Sequence, residues 1–131
     1  MGGGYGLRVT IIAGKGNNGN DGRAAARYLR RRGIRCNIQA PDSPTLPKSN
    51  LVIDAAFGTG FRDSWRPPSQ PQCRVLAVDI PSGIDGLTGH DTGSLQADTT
   101  VTFGALKPGL LLQPGARRSG EIKIVDLGLD I

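Results

Sequence analysis

Between an apolar run, Val9 to Ala13, and a run with helical spacing, Ala24 to Arg32, lies Gly14-Lys15-Gly16-Asn17-Asn18-Gly19-Asn20-Asp21-Gly22. An apolar run, a glycine-rich turn and an amphipathic run in that order specify strand, turn and helix, the repeating unit of a parallel sheet. Gly14, Gly16 and Gly19 fit the G-x-G-x-x-G spacing. Such glycines let main-chain N–H groups approach a phosphate, because they accept backbone angles that a Cβ forbids. The same spacing also suits a glycine-rich turn with no ligand, so other residues have to decide its role.

The rest of the chain repeats the strand but not the helix. Residues 8–13 predict a buried strand. Asp21 is a candidate N-cap, Ala24, Ala25, Tyr28 and Leu29 form the inward face of a helix, and Gly33 closes it. Residues 34–40 alternate like a second strand, which makes a right-handed parallel unit with the first. Residues 41–49 carry three prolines and cannot hold a crossover helix. The second strand and the third, 50–57, are therefore not expected to be ordinary βαβ neighbours. Strands at 74–80, 99–103 and 121–126 follow, separated by another proline-rich link at 62–73 and a turn-rich stretch at 106–120. The expected fold is α/β, a Rossmann-like, mostly parallel sheet of about six strands with reduced helix coverage. One domain spans residues 1–131, its first six a flexible N-terminus.

Composition narrows the function classes. No apolar segment approaches the roughly 20 residues of a membrane span, and the first residues lack a signal-peptide core, so a cytoplasmic location is expected. Cys36 and Cys73 stand far apart with no histidine nearby, which excludes a zinc cluster. The net charge of +5 comes largely from Arg23, Arg27, Arg30, Arg31, Arg32 and Arg35. No aromatic residues alternate with these arginines as in single-strand stacking platforms, so they read as a solvated face and nucleic acid is disfavoured as a partner.

The polar residues suited to chemistry stand just past strand ends, where open parallel sheets bind ligands. Asp54 lies inside the apolar run Val52-Ile53-Asp54-Ala55 and precedes a second glycine turn, Gly58-Thr59-Gly60. An unpaired charge there is costly, so it should meet a cation or several N–H donors. Asp79 closes another apolar run and leads into Pro81-Ser82-Gly83. Each residue has a bland reading as a cap or turn residue. Three such loops after successive strands favour a site. Asn18, Asp54 and Ser82 offer two neutral oxygens and one carboxylate, a set too poor in charge for a tight divalent ion and suited to potassium. Lys107 follows the strand at 99–103 and can reach the same edge. Trp65 either covers a ring or packs its loop down, and His90 has no partner motif.

The series GKGNNGNDG, VIDAAFGTGF, LAVDIPSGIDGLTG, ADTTVTFGALKPGLL and GEIKIVDLGL resembles, in order, the NAD(P)HX epimerase family, the YjeF N-terminal domain. The resemblance implies a Rossmann-like domain that interconverts the R and S hydrates of NADH and NADPH, NADHX and NADPHX. It implies potassium ligands at Asn18, Asp54 and Ser82. It also implies substrate contacts at Asn17, Asn18, Gly19, Asn20, Asp21, Gly58, Thr59, Gly60, Phe61, Arg62, Asp63, Ser64 and Asp79. Asp79 is the expected catalytic group and Lys107 its assistant. The expected partner is an ADP- or ATP-dependent NAD(P)HX dehydratase or a second copy in a homodimer.

Two departures from the family pattern stand out. Helices are lost, both those that usually precede the first strand and those expected near 41–49 and 62–73, where short proline-rich links stand instead, which predicts a partly bare sheet. Asn20 replaces the usual glycine, which predicts a looser phosphate turn. The rival reading is a non-catalytic dinucleotide- or RNA-binding module derived from the same family. A conventional dehydrogenase ranks below both, because the second strand ends in Gln39-Ala40-Pro41 with no acid placed for a ribose.

Overall fold

A computed structural model describes residues 6–59 and 65–125. In chain order the elements are β1 (Arg8–Ala13), α1 (Asn17–Arg31), β2 (Arg35–Gln39), β3 (Leu51–Ala55), β4 (Arg74–Val78), β5 (Thr99–Phe103), α2 (Gly115–Ser119) and β6 (Glu121–Val125), with a 3₁₀ turn at Pro108–Leu110 before α2. The strands form one sheet in the order β2-β1-β3-β4-β5-β6, and every pairing is parallel. The α/β reading holds. β2 and β3 flank β1 on opposite sides, so they are not neighbours. The chain thus runs outward from β1 in both directions, and the crevice between β1 and β3 is the place where such sheets bind ligands.

The burial pattern explains why these residues are strands. Ile11 and Ile12 point to opposite faces and both are fully buried, so β1 is covered above and below. On one face Val9, Ile11, Ala13, Ile53, Ala55 and Val78 pack against Ala26 and Leu29 of α1. On the other, Ile12, Val52, Val75 and Ala77 meet Trp65, Leu95, Ala97 and, from the proline-rich links, Leu46 and Cys73. Right-handed connections put α1 on the first face and every later link on the second. The proline-rich links therefore do the covering that helices would otherwise do. Trp65 is one of their fixed points: its Nε1 donates to Pro41 O at 2.7 Å and its ring stands edge-on to Phe57, centroids 5.8 Å apart. It packs its loop down rather than lying over a ligand. Beyond β4 the first face is less covered, with Val101 and Phe103 half-buried and Lys123 and Val125 exposed.

Two boundaries differ from expectation. Helix α1 begins at Asn17 with Gly16 as N-cap, so Asp21 sits inside the helix. Close packing fixes this start against the low helix propensity of the Gly/Asn run. A Cβ on Gly14 would lie 2.0 Å from Ala56 O, and one on Gly19 would lie 1.8 Å from Gly14 O. These two glycines let the turn press against the end of β3, a close-packing role. Asn20 is an exposed helical residue whose N–H donates to Gly16 O at 3.1 Å. It needs no left-handed angle, so the expected loosening at this position does not arise. The second difference is the 106–120 stretch, read as turns, which contains α2 and the 3₁₀ turn.

Most of the α1 arginines lie on its outer side. Arg27, Arg30, Arg31 and Arg32 are exposed, and Arg32 lies over the Tyr28 ring at 5.6 Å.

Candidate functional site

The loops after β1, β3, β4 and β5 meet at the carboxyl edge of the sheet. They border an open cleft of about 610 Å³ lined by Asn17, Asn18, Asp21, Gly58, Thr59, Asp79 and Lys107 from the expected set. Gly19 is buried beneath the cleft against Gly14, and Asn20 faces solvent on α1. Gly60, Phe61, Arg62, Asp63 and Ser64 lie outside the described residues. His90 is exposed and is not among the lining residues.

Asp79 is the residue at which β4 stops. Its N–H still bonds to Val101 O of β5 at 2.6 Å, but its φ of 71° makes it the one non-glycine with a left-handed angle among the described residues. Aspartate tolerates that region better than most residues, and such strain gathers at working sites. The bend turns the carboxylate toward β5. There Oδ1 accepts from Thr102 Oγ1 at 3.0 Å, Phe103 N at 3.3 Å and Lys107 Nζ at 2.5 Å. Lys107 Nζ also donates to Thr102 Oγ1 at 2.8 Å and Phe103 O at 3.1 Å. A carboxylate and an ammonium are thus held together by one hydroxyl, each side chain still about one-fifth exposed to the cleft (19% and 22%). No donor to Asp79 Oδ2 is found among the described residues, which leaves that oxygen available to a ligand.

Asp54, one strand over, has the opposite environment. It is 1% exposed. Its Oδ1 accepts from Ser82 Oγ at 2.5 Å and Ala56 N at 3.3 Å, and its Oδ2 accepts from Ser82 N at 2.8 Å. Burial pushes its pKa up, and the bonds from Ser82 and Ala56 pull part of the way back. The Ser82 hydroxyl in turn accepts from Phe57 N at 2.8 Å. Asn18 completes the ring from α1, its Nδ2 donating to Phe57 O at 2.9 Å and Val78 O at 2.8 Å. Asp54 and Ser82 thus bond each other beneath the cleft, and Asn18, which lines it, joins them through Phe57. They join the start of α1 to the ends of β3 and β4.

The donor chemistry fits a monovalent cation. One buried carboxylate, one hydroxyl, one amide side chain and two carbonyls stand together, and among the described residues no ion pair to Asp54 is found. A single negative charge among neutral oxygens suits potassium better than a divalent ion. No group of three or more His, Cys, Asp or Glu side chains gathers anywhere among the described residues.

The cleft also holds residues that the sequence reading missed. Phe103 forms part of its wall. Thr102 bonds both Asp79 and Lys107. A signal was present in TTVTF, where Thr100 and Thr102 both fall on an inward face and so require partners for their hydroxyls. The start of α1 opens into the same cleft, and its first N–H groups with the helix dipole favour an anion there.

Comparison with known proteins agrees with this arrangement. A family model described as YjeF-related protein N-terminus matches residues 5–46 and 35–109. The chain is 35% identical to the NAD(P)H-hydrate epimerase of Leuconostoc mesenteroides over 155 residues, covering 92% of this chain and 70% of the relative. It is 31% identical to the enzyme of the same name from Levilactobacillus brevis, covering 93% and 73%. Against the bifunctional NAD(P)H-hydrate repair enzyme of Hyperthermus butylicus it is 32% identical, with 94% of this chain matched to 30% of the relative. A matched span of 155 residues exceeds the 131 of the whole chain, so relatives carry residues inside it that this chain lacks. The short proline-rich links between β2 and β3 and between β3 and β4 are the natural places for that difference.

Proposed function

Because the chain belongs to the YjeF-related N-terminal family, we propose that it is an NAD(P)H-hydrate epimerase, an isomerase that interconverts the R and S forms of NADHX and NADPHX. The observation that carries this reading is the Asp79–Lys107 pair, poised at the cleft wall by Thr102. In the hydrate a hydroxyl on C6 adjoins the ring nitrogen. The nitrogen lone pair forms a C=N bond as the C6–O bond breaks, and the departing oxygen takes a proton and leaves as water. The planar iminium then accepts water on either face, the incoming water loses a proton, and the other epimer results.

The reaction needs one group to give and retake a proton and a negative charge near the cation. Asp79 serves both needs. Protonated, its Oδ2 donates to the leaving hydroxyl. Ionised, it faces the iminium and takes a proton back from the incoming water, while Lys107 and Thr102 hold its other oxygen in place. Asn17, Asp21, Gly58 and Thr59 line the cleft where the rest of the dinucleotide would lie, with its phosphates toward the start of α1. Gly60 to Ser64 belong to the same expected contact set.

Potassium forms part of this reading. Asn18, Asp54, Ser82 and the carbonyls of Phe57 and Val78 would hold it, and it would supply the positive charge that buried Asp54 lacks. The proposal also includes a homodimer, a dehydratase acting beside the epimerase, and a cytoplasmic location. Relatives named bifunctional, of which this chain covers 30%, support the second of these. Among the described residues no helix is long and apolar enough to cross a membrane.

Mixing the chain with a single NADHX epimer and following the opposite epimer by NMR tests the proposal. Exchange well above the uncatalysed rate supports it. Salt-sensitive binding of labelled RNA without exchange would instead establish the binding-module reading.

A further inference from the structure

We infer that the amino edge of the sheet carries a second ligand site, a groove for a small polyphosphate, remote from the Asp79 cleft. The groove has a volume of about 600 Å³, within the range of small-ligand pockets, and Arg8, Arg30, Arg35 and Lys48 contribute to its lining. It lies at the starts of β1 and β2, and the six residues of β1 separate it from the cleft by about 20 Å at the usual rise per strand residue.

Three observations carry the assignment. The first is the register: Arg8 and Arg35 are direct partners across β1 and β2. Like charges placed opposite one another destabilise a strand pair, and a local rule broken without compensation points to function. The second is the absence of compensation. No Asp or Glu lines the groove, and the ion pairs found among the described residues are Lys107–Asp79 and Arg118–Asp91. The third is the polarity of the floor. β2 alternates, with Cys36 and Ile38 packed on the α1 side and Arg35, Asn37 and Gln39 on the other. The short link from β2 to β3 puts no helix over that outer side. Cations, hydroxyls and an amide share the lining with Val9, Cys36, Ile38 and Pro47, so the groove is charged rather than a purely apolar surface left uncovered.

The wall is ordered as well. Arg30 Nη2 donates to Cys36 O at 2.8 Å, and Thr10 Oγ1 and Ser49 Oγ are 2.6 Å apart. These bonds position the rim without neutralising the charge. The ligand class follows from what the groove contains. Four cations in this volume match a compact, multiply charged anion such as a nucleoside di- or triphosphate tail or an inorganic polyphosphate. No aromatic side chain lines the groove, so it lacks the stacking surfaces by which single-stranded nucleic acids are held.

Calorimetric titration of the whole chain with sodium tripolyphosphate at low salt tests the assignment. One saturable site is expected, weakened about tenfold by Arg8→Gln and further by Arg8→Gln combined with Arg35→Gln, as loss of charged contacts predicts. Both side chains are exposed, so melting temperature should be retained. Lys48→Gln, in the link, supplies an independent loss if either arginine variant fails to fold. Epimer exchange should be unchanged in all of them. Unaltered tripolyphosphate affinity in the double variant would overturn the assignment. So would binding abolished by Lys15→Gln at the opposite edge, which would place the anion at α1. A short single-stranded RNA that binds more tightly than tripolyphosphate, with a steeper salt dependence lost in the same variants, would overturn the ligand class.

Discussion

β3 and β4 are neighbours in the sheet, and each runs into an aspartate near its end. Asp54 still belongs to its strand, is sealed from water, and spends both oxygens on Ser82 and Ala56. Asp79 stands one residue past its strand, with a left-handed backbone, a lysine partner and an oxygen facing the cleft. Their sequence contexts differ only in place, since Asp54 lies inside an apolar run and Asp79 closes one. The difference in geometry divides the labour: Asp54 joins the loops and is placed to hold a cation, whereas Asp79 is placed to move a proton. Two steps along the strand register, and the backbone bend they allow, decide which role each acid takes.

Substitutions can break that division. The largest effect is expected for Asp79→Asn, with exchange falling about 10²- to 10⁴-fold, the usual worth of a positioned acid–base group. Its melting temperature should change little, because Asn retains the Thr102 and Phe103 contacts. Asp54→Ala should behave inversely, costing about 2–4 kcal/mol in denaturant unfolding by leaving a cavity and unpaired donors from Ser82. If Asp54→Ala proved stable and inactive, the two roles would have been misassigned.

The pH dependence sharpens the same contrast. Folding raises the pKa of Asp54, so the native chain holds its proton to higher pH than the unfolded chain. The slope of stability with pH is then negative across that window. Its contribution is greatest below the ordinary carboxylate value and declines as pH rises through the folded value. Thermal melts against pH should show this decline in the wild type and a flatter profile in Asp54→Asn. Above the window potassium should raise the wild-type melting temperature, and it should have no such effect in Asp54→Asn.

Thr102→Val removes one hydroxyl from between Asp79 and Lys107. It should slow exchange about three- to tenfold in steady-state assays, at a stability cost of about 1 kcal/mol. The smallest effect is expected at Asn20. Asn20→Gly restores the residue usual in the family, yet it should lower helix stability by up to about 0.5 kcal/mol and leave exchange unchanged. An increase in rate would show that Asn20 had loosened the site.

These residues also show what a sequence makes legible. The strands were readable because each is a short apolar or alternating run between breakers, whereas their order in the sheet was not read from the sequence. The convergence of Asn18, Asp54 and Ser82 was readable because an acid inside an apolar strand must find partners. The start of α1 was not, since Asn and Gly disfavour helix locally and only the contact of Gly14 with Ala56 fixes it there. Thr102 was hidden because threonine is an ordinary strand residue, and its partners lie 5 and 23 positions away. The bend at Asp79 is likewise invisible until β5 takes its N–H. Charge on the outer side of β2 was visible, but the pairing of Arg8 with Arg35 needed the register.

Epimer exchange in water enriched in ¹⁸O bears most directly on the assignment of chemistry to Asp79. Loss and return of the C6 hydroxyl through an iminium predicts that every inverted NADHX molecule gains one solvent oxygen, at a rate set by the wild-type chain and lost in Asp79→Asn. Inversion that keeps the original oxygen, or undiminished ¹⁸O uptake in Asp79→Asn, would contradict it.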